Sequence, residues 1–269
     1  MAVAVPGHPW SNGGGADRPL GRERPLQTYR YNGGGFKSQF MPKCVGIVAV
    51  SAEGAALCYR TICAEGAALM GRHAHPEIVT HTFPLSDWMV PIDADRWEDV
   101  GKMLLASAER LQRVGADFLI CPDNTAHQGL DLVRDRSPLP WLHIAEEVAR
   151  SARERQYRKV LVLGTRYLME GPVYPPKLRA AGLAYEFPDA ATRARINRHT
   201  FDELVYGRFE PATRDYFVGV IREGQRGGCD AVALSCTEFP LLVSPADSPL
   251  PILDSTRLLA RAALREAMR

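Results

Sequence analysis

The sequence predicts an α/β fold: two pseudo-symmetric lobes, each a mostly parallel sheet flanked by helices, with the active site in the cleft between them. Three observations carry this expectation. From Cys44 onward, short apolar runs alternate with longer helical stretches, the pattern of parallel strands joined by crossover helices. Two stretches, 115–125 (GADFLICPDNT) and 228–238 (GCDAVALSCTE), align Gly on Gly and Asp on Asp without a gap. That alignment sets Asp123 opposite Cys236, each at the polar tip of a buried strand. Parallel sheets bind their ligands beyond the C-terminal ends of the strands, where these two residues lie.

Each element has its own justification. Residues 44–50 (CVGIVAV) form an apolar run suited to a strand buried on both faces. A helix follows over 55–70, then a β-branched strand over 78–83. Residues 97–114 form a long amphipathic helix ending at Gly115, which fits a C-terminal cap. Residues 118–121 are the next strand and 128–134 a short helix. Pro138 and Pro140 mark a boundary. The second half repeats the plan: a helix at 143–156, a strand at 160–163, a short helix at 174–181 ending at Gly182, and a strand at 184–187. Helices are expected at 193–206 and 212–226, strands at 231–234 and 252–253, and a closing helix at 255–268. The predicted organisation is an extension over 1–42, a first lobe of 43–137 plus 254–269, and a second lobe of 138–253.

Composition narrows the function. The chain has 269 residues, 46% hydrophobic, with a formal net charge of +2. No basic stripe interleaved with aromatics points to nucleic acid. No apolar run approaches the ~20 residues of a membrane span. A small-molecule ligand is the expected partner. Residues 1–42 carry two Gly triplets, scattered Arg and few large apolar side chains, and are expected to be disordered. Six cysteines without a secretory h-region fit reduced thiols in the cytoplasm.

Two tips could do chemistry. Cys236 follows a strand and precedes a helix or loop whose free N–H groups would bind an anion and lower a thiol pKa; the bland alternative is a buried structural Cys. Asp123 sits in Cys121-Pro122-Asp123-Asn124-Thr125-Ala126-His127, as a base or as a turn former. Cys121 should turn into the core. His127 is a general acid or a hydrogen-bonded structural residue. His73 and His75 lack a third ligand, so no metal site is expected. No Gly-x-Gly-x-x-Gly follows a strand, so no nucleotide cofactor is expected either.

The two tips resemble those of the aspartate/glutamate racemase family, a cofactor-independent group that includes hydantoin racemases, maleate isomerases and arylmalonate decarboxylases. The family pattern is Cys-Asn-Thr after a strand of the first lobe and Gly-Cys-Thr-Glu in the second. Here these stand as Asp123-Asn124-Thr125 and Ser235-Cys236-Thr237-Glu238. Gly46-Ile47-Val48 with Ser51-Ala52-Glu53, Leu163-Gly164-Thr165-Arg166 with Met169-Glu170, and Asp254-Ser255-Thr256 are similar to further family loops. The likeness runs from about residue 43 to the C-terminus.

The resemblance implies an isomerase without pyridoxal phosphate that racemises or epimerises a small amino acid or related carboxylate. It implies catalytic roles for Cys236 and Asp123. It implies substrate contacts from Ser51, Asn124, Thr125, Thr165, Arg166, Thr237 and Glu238, and a homodimer. One departure stands out: Asp123 replaces the first cysteine of the two-cysteine members. A carboxylate is the weaker base, with a reference pKa of about 3.9 against about 8.5 for a thiol. Asp123 then serves either as a base raised by burial or as a binding group. In the second case Cys236 acts alone, as in an arylmalonate-decarboxylase-like or maleate-isomerase-like enzyme, or the chain is a non-catalytic binding relative. Arg166 favours an acidic substrate; Asp123 favours an amino group instead.

Overall fold

The computed structural model describes residues 42–269; apart from Pro42, the extension expected over 1–42 lies outside the described residues. Among the described residues, eight short strands form two four-stranded, all-parallel sheets. The first contains β1 (Val45–Ala49), β2 (Ile78–Thr82), β3 (Phe118–Ile120) and β4 (Trp141–Leu142), in the order β2-β1-β3-β4. The second contains β5 (Lys159–Leu163), β6 (Ala184–Glu186), β7 (Ala231–Leu234) and β8 (Ile252–Asp254), in the order β6-β5-β7-β8. The two orders match strand for strand, which is the pseudo-symmetry the repeat predicts.

The repeat works at the foot of the strands as well as at the tips. Gly115 and Gly228 close the preceding helices at φ +96° and +87°, a backbone region in which glycine pays no Cβ penalty. Asp117 then accepts from the Cys44 N–H at 2.7 Å. Asp230 accepts from the Arg158 and Lys159 N–H groups at 2.8 and 3.0 Å. Each Asp thus pins its strand to the neighbouring central strand.

Strands β1, β3, β5 and β7 are buried almost throughout, as expected of parallel strands covered on both faces. The closing helix Ser255–Ala267 follows β8 but packs on the first sheet: Leu259, Ala263 and Leu264 cluster with Val45, Ile47, Phe118 and Ile120. Among the described residues no helix is long and apolar enough to cross a membrane.

Several elements depart from expectation. Trp141–Leu142, which a boundary at residue 138 assigns to the second lobe, pairs with β3 as the edge of the first sheet. It is too short to show a pattern and sits directly behind Pro140. Helix Leu85–Asp93, unforeseen, contains Pro91. Helix Arg166–Glu170 occupies what was expected to be a loop. The helix expected over 193–206 runs as Ala190–Asp202, then tightens into a 3-10 turn, Leu204–Tyr206.

Candidate active site

The C-terminal ends of β1, β3, β5 and β7 meet at one cavity of about 270 Å³, lined by residues of both sheets. Ser51 follows β1, Asp123, Asn124 and Thr125 follow β3, Thr165 follows β5, and Ser235 to Glu238 follow β7; all line it. Parallel strands explain the convergence, because every tip of each sheet points the same way.

Asp123 is half-buried, and its Oδ1 accepts from the Ala126 N–H at 2.8 Å. It is therefore a turn former as well as a cavity group. Burial raises its carboxyl to about 6, the Glu238 carboxylate adds to the rise, and the Ala126 N–H opposes it. Cys236 is also half-buried, and its thiol donates to Glu238 Oε2 at 2.9 Å. Burial and then the Glu238 charge push this thiol well above its usual range. The expectation of a lowered thiol pKa is thereby corrected. The helix after Cys236 is only Phe239–Leu242, and an adjacent carboxylate outweighs its dipole.

His127 is fully buried and does not line the cavity. Its Nε2 accepts from the Ile144 N–H at 3.2 Å. Nδ1 must then carry the proton, which it donates to the Asp123 carbonyl at 2.8 Å. Burial holds the ring well below its ordinary pKa. His127 is a neutral prop under the Asp123 loop. Cys121 turns into the core of the first lobe, as its register requires.

Asn124 is tied inward. Its Oδ1 accepts from the Tyr174 hydroxyl at 2.8 Å, and its Nδ2 donates to Ser255 Oγ at 3.0 Å. Ser255 in turn donates to the Leu234 carbonyl at 3.0 Å. This chain links the tips of β3, β7 and β8, so the amide expected to hold substrate is engaged in holding the lobes. Thr125 and Thr165 bring their hydroxyls to 3.3 Å of each other across the cleft. Ser51 caps helix Ala52–Met70 by accepting from the Gly54 N–H at 3.2 Å.

Arg166 departs from its expected place. It is exposed, outside the cavity lining, with its guanidinium 5.1 Å from the centre of the Tyr167 ring. The turn of helix Arg166–Glu170 faces it to solvent. Sequence reasoning also missed the apolar wall: Leu85, Met89 and Ile92 from helix Leu85–Asp93, and Tyr167, Phe201 and Val205 from the second lobe. The first three fall at helical spacing, a usable signal that Pro84 and Pro91 obscured. Among the described residues no three His, Cys, Asp or Glu side chains gather as a metal site would require.

The chain resembles known proteins along most of its length. Residues 47–263 match the family model described as Asp/Glu/Hydantoin racemase. The broad specificity amino-acid racemase RacX of Bacillus subtilis is 25% identical over 175 residues, covering 64% of this chain and 73% of RacX. Among solved structures, PH1733 of Pyrococcus horikoshii, an aspartate racemase homologue, superposes with a TM-score of 0.75 at 26% identity. It covers 85% of this chain and 100% of its own. The glutamate racemase of Aquifex pyrophilus shares the fold at 19% identity, with a TM-score of 0.58 over 81% of this chain and 82% of its own.

Proposed function

The chain belongs to the Asp/Glu/Hydantoin racemase family of isomerases, and from that premise we propose that it inverts the α-carbon of an amino acid or related carboxylate, with Asp123 and Cys236 as its acid–base pair. One observation carries the reading. A carboxyl raised to about 6 and a thiol raised well above its usual range line the same cavity from two different sheets. At pH 7 the first rests mostly as carboxylate and the second as thiol, so one is poised to accept a proton and the other to give one.

The step balances without a cofactor. Asp123 takes the α-proton, the bonding pair stays on the substrate as an enediolate, and Cys236 returns a proton on the other face. The product is the opposite enantiomer, with Asp123 neutral and Cys236 a thiolate. That form is the one that runs the reverse reaction; solvent exchange resets it. The enediolate needs donors where charge develops. The hydroxyls of Ser51, Thr125, Thr165 and Thr237 and the N-terminus of helix Ala52–Met70 border the cavity, and such a terminus favours anions. The protein acts as a homodimer in the cytoplasm under this reading, with a small amino acid or carboxylate as its substrate.

The test is proton NMR of an amino-acid panel incubated with the protein in deuterated water. Loss of the α-proton signal together with inversion, read by chiral chromatography of the recovered amino acid, is the expected result with the wild type. Cys236→Ala is expected to stop inversion, while Asp123 can still exchange the proton it faces. Undiminished inversion in Cys236→Ala would sink the assignment. Gas release or alkene isomerisation without exchange would move Cys236 to a single-thiol chemistry.

A further inference from the structure

The cavity lining divides into two kinds of surface. Asp123 and Glu238 stand where the proton chemistry is placed, and Glu53 joins them from the first turn of helix Ala52–Met70. Much of the remaining lining is an apolar wall. Leu85, Met89 and Ile92 share one face of helix Leu85–Asp93, and Tyr167, Phe201 and Val205 complete the wall from the second lobe. The wall is fastened: the Tyr167 hydroxyl donates to Asp93 Oδ1 at 2.7 Å, tying the end of that helix to the other lobe. Arg166 lies outside, over the Tyr167 ring.

The threonine and serine hydroxyls suffice for one substrate carboxylate. Among the described residues no Arg, Lys or His lines the cavity, so a second carboxylate on the substrate would meet three acidic side chains, neutral hydroxyls or the apolar wall, and would lose hydration without a cationic partner. An apolar side chain would instead remove both its own surface and that of the wall from water. The α-ammonium group, common to all amino acids, has the carboxylates to face.

Resting on the racemase reading above, we propose that the substrate is an amino acid with a large apolar side chain, of the leucine, methionine or phenylalanine kind, rather than aspartate or glutamate. Helix Leu85–Asp93 is the element that sets this preference, and Met89 is its central contact.

The experiment measures kcat/KM for α-proton exchange in deuterated water with leucine, methionine, phenylalanine, lysine, aspartate and glutamate. The apolar substrates are expected to exceed aspartate, glutamate and lysine by about tenfold or more, the scale of selectivity a hydrophobic pocket supplies. Met89→Arg is expected to lower exchange of the apolar substrates and narrow their lead over glutamate. Exchange that is fastest on aspartate, glutamate or lysine overturns the proposal and leaves the racemase reading standing. An unchanged substrate ranking in Met89→Arg overturns the role of the helix. Exchange on no member of the panel overturns the proposal together with the racemase reading.

Discussion

The Cys236 thiol donates to the carboxylate of Glu238 over 2.9 Å, two residues further along the same strand tip. This contact makes the two sides of the cavity unlike. The thiol is held protonated by burial and then by the Glu238 charge, while Asp123, raised by burial, stays largely ionised near neutrality. Under the proposed acid–base reading, a carboxylate in place of a second thiol presets which side takes the proton first.

Cys236→Ala should cut inversion at the α-carbon by about 10²–10⁴, the usual loss when a positioned acid or base is removed. Far-ultraviolet circular dichroism should be unchanged. Inversion at close to the wild-type rate would assign the thiol a packing role.

The rate should depend on pH through Asp123. Its carboxyl titrates at about 6 in the folded protein, so kcat/KM should rise as pH climbs through that value and Asp123 becomes a base. Glu238→Gln removes a like charge that helps raise it, so the acid limb should move to lower pH. A flat profile across that range would exclude Asp123 as the base.

Asp123→Asn should trade activity for stability. The unfolded carboxyl titrates near about 3.9 and the folded one at about 6. Folding therefore takes up a proton between these values, and stability falls as pH rises through that window. Above it the ionised group costs on the order of 1–3 kcal/mol. Asparagine keeps an oxygen for the Ala126 N–H and sheds the charge. Urea unfolding at pH 8 should show the variant more stable than wild type, with the gain vanishing near pH 4; a loss at pH 8 would contradict the burial argument.

Gly54→Ala should damage the site through its scaffold. A Cβ at Gly54 would lie 2.5 Å from the Pro122 carbonyl oxygen and 2.7 Å from Thr237 Cγ2. Those atoms belong to the loops carrying Asp123 and Cys236, so both tips must shift. Overpacking of this kind costs about 1–3 kcal/mol, and displaced catalytic groups can cost about 10²-fold in rate. Wild-type turnover in a folded Gly54→Ala protein would show that the tips tolerate movement.

Tyr174→Phe should strip Asn124 Oδ1 of its donor. A buried oxygen left unpaired costs about 1–3 kcal/mol, read as a lower midpoint in thermal or urea unfolding. kcat should fall more than KM rises, because Asn124 adjoins Asp123 and touches no proton in the reaction.

The paired tips and the fold were legible from residues alone, because the two repeats align without a gap and the strand in each repeat is a short, wholly apolar run between a Gly-x-Asp foot and a polar tip. Asp123 and Cys236 could be placed opposite each other before any geometry was known. The apolar wall was not legible: Leu85–Asp93 is short and carries Pro91 inside it, so its periodicity is interrupted where a sequence reading looks for it. Arg166 misled for a related reason, since one turn of unforeseen helix decides whether its side chain faces ligand or solvent.

The sequence by itself determined the class of fold, the family likeness and which two tips could hold reactive groups, since these depend on local pattern and on residue identity along the chain. Only the tertiary structure decided that Asn124 braces the lobes, that His127 is a neutral prop, and that the Cys236 thiol is raised rather than lowered. Those outcomes turn on burial and on partners such as Tyr174, Ser255 and Ile144, distant in the chain from the residues they engage. Hydrogen bonding and desolvation act through space at a few ångströms, and chain order does not encode that distance.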